Sequence, residues 1–211
     1  MDEVRLEEGP NGLELRAMSD RPGQGVRAAP FEVLHRGTAG HPLVRVLGTP
    51  PGVVVDATAG LGVDAGVAAM LGFEVVLIER NSDLCELLSE GLAQPTTPEE
   101  ETLAARMTLR QGDACDLLRE IKSPSVVMID PMFPERRRSS ALPPKPMQRL
   151  RSLLGHAEED DVPGLLDAAI ASGTRRIVLK RPPEATITHG MLGEPTFSIA
   201  TKLLRWDVWE R

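Results

Sequence analysis

Apolar and polar positions divide the chain into two unlike parts, a weakly patterned stretch up to about residue 48 and a strongly patterned remainder. In the second part, Val53-Val54-Val55-Asp56 is a short apolar run entering a Gly-rich turn, and it predicts a buried strand. Further strands are predicted over Glu74–Glu79, Met107–Arg110, Ser125–Asp130 and Arg176–Lys180. Between them, Asp64–Leu71 has a helical composition and is stopped by Gly72. Ser82–Leu92 carries Leu84, Leu87 and Leu88 at helical spacing behind Asn81 or Ser82 as a cap. Asp161–Ser172 is also predicted as a helix. Phe197–Ala200 and Leu203–Trp209 predict a terminal hairpin. Strands alternating with helices mean an α/β fold around a largely parallel sheet, and near-continuous Val/Ile runs are what burial on both faces requires. In the first part, Gly12–Met18 alternates as a strand, Ser19–Gly23 reads as a turn, and Phe31–Leu47 has weak periodicity. Residues 1–48 are therefore expected to be a small N-terminal extension to a domain over 49–211. Pro143-Pro144-Lys145-Pro146 suggests a mobile loop.

Composition narrows the class. Of 211 residues, 41 % are hydrophobic and 26 % charged, ordinary for a globular protein with a real core. No run is apolar enough to span a membrane, and the acidic start lacks a secretory h-region. Two cysteines, Cys85 and Cys115, give neither a disulfide framework nor metal-site spacing, which suits a reducing cytoplasm and no metal. With four Phe, two Trp and no Tyr, an aromatic platform for single strands is not expected. The net charge of −7 argues against binding nucleic acid by bulk charge. Its distribution is uneven: Glu74–Glu120 holds eleven acids and four bases, whereas Met132–Arg151 holds six bases and one acid. A basic stretch beside a candidate crevice is compatible with a polyanionic substrate, and Arg136-Arg137-Arg138 could equally be a solvated loop.

Ligands of such sheets bind at the carboxyl ends of the strands, so the residues after each strand are the candidates for chemistry. After the first strand, Thr58-Ala59-Gly60-Leu61-Gly62 offers a tight turn and close backbone approach, but Thr58 replaces the first glycine of a dinucleotide fingerprint. The absence of Gly-Lys-Ser/Thr excludes a triphosphate loop. Glu79 ends the second strand 23 residues after Asp56, where an acid can accept both ribose hydroxyls of a nucleoside cofactor. It could instead be a surface ion pair with Arg80. Asp113 can accept from an adenine amine or cap the next helix, and these roles are compatible. Asp130-Pro131-Met132-Phe133-Pro134 is the most specific signal: a proline-stiffened loop with an acid, carbonyls for an exocyclic amine, and an aromatic ring to stack on a base.

Taken in order, Asp56-Ala57-Thr58-Ala59-Gly60-Leu61-Gly62, Glu79-Arg80-Asn81, Asp130-Pro131-Met132-Phe133-Pro134 and Val178-Leu179-Lys180-Arg181-Pro182 resemble the ribosomal RNA small subunit methyltransferase J family over about residues 53–182. The resemblance implies a class I, Rossmann-like methyltransferase fold. Its mostly parallel seven-stranded sheet would carry helices on both faces and a C-terminal antiparallel hairpin. It implies S-adenosylmethionine (SAM) as cofactor and methylation of the exocyclic N2 of a guanine in 16S rRNA. Position by position it implies cofactor contacts at Asp56, Gly60, Gly62, Val63, Asp64, Glu79, Arg80, Asp113, Ala114 and Asp130. Val63 stands where the family often has Arg.

For the reaction, Asp130 and the carbonyl of Pro131 or Met132 are expected to hold the amine, and Phe133 to stack on the base. Arg136, Arg137, Arg138, Lys145, Lys180 and Arg181 are expected to neutralise phosphates of the 16S rRNA or small ribosomal subunit. A monomer is expected. Three alternatives stay open: an amino methyltransferase for another nucleic acid or for protein, a noncatalytic RNA-binding module on the same scaffold, and an NAD-type oxidoreductase. The last leaves the Asp130–Pro134 loop unexplained. His35, His41, His156 and His189 read as surface residues.

Overall fold

The computed structural model describes residues 3–133, 143–155, 161–185 and 190–211. Among them the Val-rich runs pair into one seven-stranded sheet, β3 (Val53–Asp56), β4 (Glu74–Glu79), β5 (Met107–Gln111), β6 (Val126–Ile129), β7 (Arg176–Arg181), β8 (Phe197–Ala200) and β9 (Arg205–Glu210). Its spatial order is β5-β4-β3-β6-β7-β9-β8, parallel from β5 to β7, with β9 antiparallel to both β7 and β8. The chain runs outward from β3 to β5 and then returns to the other side of β3 as β6. That reversal opens a crevice at the carboxyl ends of β3 and β6.

Side chains alternate between the faces. Val54, Val126, Met128, Val178 and Val208 meet α1 (Glu32–Arg36), α2 (Leu43–Val46) and α3 (Val63–Met70) on one side. Val55, Val127, Ile129, Ile177 and Leu179 meet α6 (Ala114–Leu117) and α8 (Asp161–Ala171) on the other. Three helices begin where local chemistry starts them. Asn81 Oδ1 accepts from Leu84 N (3.0 Å) at the head of α4 (Ser82–Ala93). Thr97 Oγ1 accepts from Glu100 N (3.2 Å) at α5 (Pro98–Ala104), and Asp113 Oδ1 accepts from Cys115 N (2.7 Å) at α6. Each such cap is worth about 1 kcal/mol.

The N-terminal residues form an antiparallel hairpin, β1 (Val4–Gly9) and β2 (Gly12–Ala17), and then α1 and α2. Val4, Leu15 and Val26 pack with Leu84 and Leu87 of α4, while Val33, Leu43 and Val46 enter the main core. At Gly66 in α3 the backbone of residue 30 comes so close that an added methyl would run into the Pro30 carbonyl oxygen. The expected mobile loop at Pro143–Pro146 is corrected at its second half. Lys145 and Pro146 open α7 (Lys145–Leu154), where a proline in the first turn forfeits no helical hydrogen bond. Leu150, Leu153 and Leu154 pack against the hairpin cluster. Asp20, beyond β2, takes Lys145 Nζ at 2.8 Å and Arg149 Nη2 at 2.7 Å.

Candidate active site

Pairing in the sheet places a row of polar side chains along its carboxyl edge. Asp56 lies opposite Met128, and Met128 opposite Val178, so two residues further on Asp130 emerges beside Lys180. Lys180 in turn lies opposite Trp206. Glu79 ends β4 on the far side of β3. These five line a pocket of about 420 Å³, within the range of small-molecule sites. Gly60 (φ 54°) and Gly62 (φ 79°) take left-handed conformations that turn the chain from β3 into α3. The turn is tied down at three points. Asp56 Oδ1 accepts from Thr58 N (3.2 Å), Glu79 Oε2 accepts from Gly60 N (2.9 Å), and Thr58 Oγ1 accepts from Asp130 N (2.7 Å). Glu79 Oε1 also accepts from Asn81 N (2.9 Å), so the carboxylate is pre-set in direction.

The electrostatics are those of crowded acids around one cation. Lys180 Nζ lies 2.7 Å from Asp64 Oδ2 and 2.7 Å from Asp130 Oδ2. Burial alone would lower its pKa, but Asp130 and Asp64 more than offset that and hold it above the usual lysine value. Burial raises Glu79 against the pull of the Asn81, Gly60 and Arg80 amides. Burial and the charge of Asp64 raise Asp130, opposed by Lys180. Asp56, 4 % exposed, is pushed up to about 7 by burial and then by Asp64, against the Thr58 amide.

The Asp56 shift predicts a pH dependence of stability. Its carboxyl loses its proton near pH 3.8 in the unfolded chain and near 7 in the fold. Between those values the native state keeps a proton that the unfolded state has lost, so this group's contribution declines as pH rises and levels off above 7. Asp56→Asn removes the decline. Relative to wild type, the variant should gain about 2–3 kcal/mol on going from pH 5 to pH 8. Urea unfolding at the two pH values measures it, and a wild-type-to-variant difference independent of pH would sink the assignment.

Most of the expected site residues do converge. Asp56, Gly60, Val63, Asp64, Glu79 and Arg80 line the pocket, as do Asp113, Ala114, Asp130, Pro131 and Phe133. Gly62 shapes the turn without reaching the pocket. The expected phosphate contacts fare differently. Arg136, Arg137 and Arg138 lie outside the described residues, with Pro134, His156 and His189. Arg181, 7 % exposed, is corrected to a structural cation. Its Nε is 2.6 Å from Asp207 Oδ2 and its Nη1 donates to the Ala185 carbonyl (2.6 Å), so the fold itself engages both nitrogens. Lys180 is matched by two carboxylates, and Lys145 is spent on Asp20 and the Gln24 carbonyl. His41 is half-buried, with Nδ1 accepting from Leu43 N (3.3 Å).

Sequence reasoning missed the apolar walls. Leu43, Leu204 and Trp206 line one side of the pocket and Met147, Leu150 and Leu154 of α7 another. Met147, Leu150 and Leu154 stand three and four residues apart, a helical signal readable in the sequence but masked by the prolines ahead of it.

This cradle fits a cationic nucleoside cofactor. Among the described residues five carboxylates (Asp56, Asp64, Glu79, Asp113 and Asp130) line it beside Arg80, Arg151, Lys180 and Arg181, Glu79 presents a fixed acceptor at the end of β4, and a Cβ added at Gly60 would find, outside its chain neighbours, only the Thr58 carbonyl within 4 Å, at 3.8 Å. Residues 14–211 match the family model described as "Putative SAM-dependent methyltransferase". The chain is 42 % identical over 181 residues to the ribosomal RNA small subunit methyltransferase J of Pseudomonas paraeruginosa, covering 83 % of this chain and 67 % of that one. It is 39 % identical over 222 aligned residues to the Pseudomonas aeruginosa protein of that name, covering 99 % and 83 %. A SAM-dependent methyltransferase from Neisseria gonorrhoeae superposes with TM-score 0.74 and 28 % identity, over 99 % of this chain and 83 % of that one. An rRNA methyltransferase from Streptomyces viridochromogenes (TM-score 0.50, 15 % identity, 86 % and 83 % covered) shares the fold. The class I architecture expected from the resemblance is therefore present, and the chain belongs to the ribosomal RNA small subunit methyltransferase J family of SAM-dependent enzymes.

Proposed function

We propose that this protein methylates the exocyclic N2 of a guanine in 16S rRNA. The observation that carries this reading is the juxtaposition of Asp130 and its proline-stiffened loop with an acid-lined nucleoside pocket at the β3/β6 switch point. The relatives' printed name supports the rRNA substrate. In this reading residues 49–211 carry the catalytic strands, and residues 1–48 extend them and contribute Leu43 to the pocket wall. In the same reading the enzyme works as a monomer in the cytoplasm. Among the described residues no helix is long and apolar enough to cross a membrane, and no cluster of His, Cys, Asp or Glu is arranged to hold a metal ion.

When bound, SAM supplies a methyl group on a sulfonium, open to in-line displacement. Glu79 would accept hydrogen bonds from the cofactor's ribose hydroxyls, and Asp113 with Ala114 would border its adenine. The remaining named contacts, Asp56, Gly60, Val63, Asp64 and Arg80, enclose the rest, with Gly62 setting the turn. A guanine N2 is a poor nucleophile because its lone pair is delocalised into the ring. Asp130 and the Met132 carbonyl accept its two N–H groups, orient it and raise its electron density. The Pro131 carbonyl already accepts from Phe133 N (2.9 Å), which closes the turn of the loop. Phe133, half-buried against the α6–α8 side, offers its remaining surface to the base. Stacking of this kind offsets about 1–3 kcal/mol of the cost of extracting a base.

The test is incubation of the purified protein with methyl-tritiated SAM and small ribosomal subunits that lack the modification, followed by nuclease digestion and mass spectrometry. One new N2-methylguanosine in 16S rRNA is expected. Label in another nucleoside or in protein, or none at all, would overturn the reading.

A further inference from the structure

We propose that Lys180 is a positioning residue for this reaction: its ammonium, bridging Asp64 and Asp130, pins one Asp130 oxygen so that the other is presented to the acceptor amine. The inference rests on the guanine-amine reading above.

Three observations carry it. Sheet pairing brings β7 beside β6 so that Lys180 and Asp130 leave the sheet edge as neighbours. The Lys180 Nζ ion pair with Asp130 is made at Oδ2, at 2.7 Å. The main chain of Asp130 is fixed independently by Asp130 N donating to Thr58 Oγ1 (2.7 Å) and by Pro131 behind it. One oxygen and the backbone being held, the direction of Oδ1 is set before any substrate arrives, and such pre-setting is where positional catalysis gains most.

The charge of the bridge matters as well. Burial and Asp64 disfavour the Asp130 carboxylate, and Lys180 opposes both. A neutral carboxyl would offer the amine a weaker acceptor, so the ion pair sustains the form that the reaction needs. Among the described residues, Asp56 from β3 and His41 from the segment before α2 also feel Asp64 and Lys180. Phosphate binding by Lys180 fits poorly, because its charge is matched on two sides and its side chain is only 18 % exposed.

Two variants with opposite expected signs test the idea. Lys180→Met removes the attraction on Asp130, and Asp64→Asn removes the repulsion. With aspartate carboxyl carbons labelled with ¹³C and Asp130 assigned through Asp130→Asn, its titration should move up by about one pH unit or more in Lys180→Met and down in Asp64→Asn. On small subunits, Lys180→Met should lower kcat by about 10–100-fold. Its KM for the subunit and its calorimetric SAM affinity should stay within about threefold. A structural role alone predicts a lower Tm without a loss confined to kcat. Should Lys180→Met fail to fold, Lys180→Gln takes its place, and a kcat at the wild-type level in it overturns the role. Wild type that methylates guanine while the two shifts are absent or share a sign overturns the role of Lys180. Wild type that transfers no methyl to RNA overturns the function and this inference together.

Discussion

Asp130→Ala should reduce methyl transfer by about 10²–10³-fold, the loss that follows removal of one preorganised group at a reacting centre. The affinity for SAM should stay within a few-fold, because the ribose and adenine ends of the pocket are built on β4, β5 and the Gly60 turn. Glu79→Ala should behave in the opposite way. Its carboxylate is held by the Gly60 and Asn81 amides and faces the pocket. Its loss should weaken SAM binding by about 10–100-fold, since a buried acceptor is removed and two donors are stranded. Isothermal titration and a tritium-transfer assay on the same preparations separate the two effects. Turnover by Asp130→Ala at the wild-type rate would remove that residue from the mechanism.

Asp207→Ala should destabilise the fold by about 3–5 kcal/mol, because it strands a buried guanidinium. Asp207 is fully buried and accepts from Arg181 Nε, Arg205 Nε and Ser198 Oγ, each at 2.6 Å. Burial would raise its pKa, but Ser198, Arg181 and Arg205 together hold it below the usual 3.8. A depressed carboxyl stabilises the native state above its unfolded pKa, and the contribution is lost as pH falls below about 4 through the folded value. For a chain of this size the expected fall in Tm at pH 7 is about 6–20 °C. A Tm within 2 °C of wild type would falsify the assignment of Arg181 to the fold and return it to the candidates for RNA contact.

The parts of the fold that the sequence made legible are those in which burial leaves no choice of side chain. β3 and β4 fall where their apolar runs do, and β6 and β7 within a residue at either end, because a parallel strand covered on both faces must be apolar through its middle; β5, a partly exposed edge strand, is also found within one residue. β1, with Arg5, Glu7 and Glu8 among its six residues, has no such constraint and shows no such run. α1, α2 and α5 have seven residues or fewer, too short for a periodic signal. Asp56, Glu79, Asp113 and Asp130 were visible because each ends or follows a strand at the edge where ligands bind, whereas Asp64, in the first turn of α3, came only through the family resemblance. What each cation does was not visible, because charge can be read locally but its partner cannot: Lys180 meets Asp64 across 116 residues of chain and Lys145 meets Asp20 across 125.

The contact of Gly66 with the Pro30 carbonyl ties two distant stretches of polypeptide into one inherited unit. Because the clash is with a backbone oxygen that any residue at position 30 would carry, swapping the first fifty residues between related enzymes would demand glycine at position 66 of the recipient. Grafting this N-terminal segment onto a distant methyltransferase scaffold would therefore demand a matching notch in the acceptor's helix.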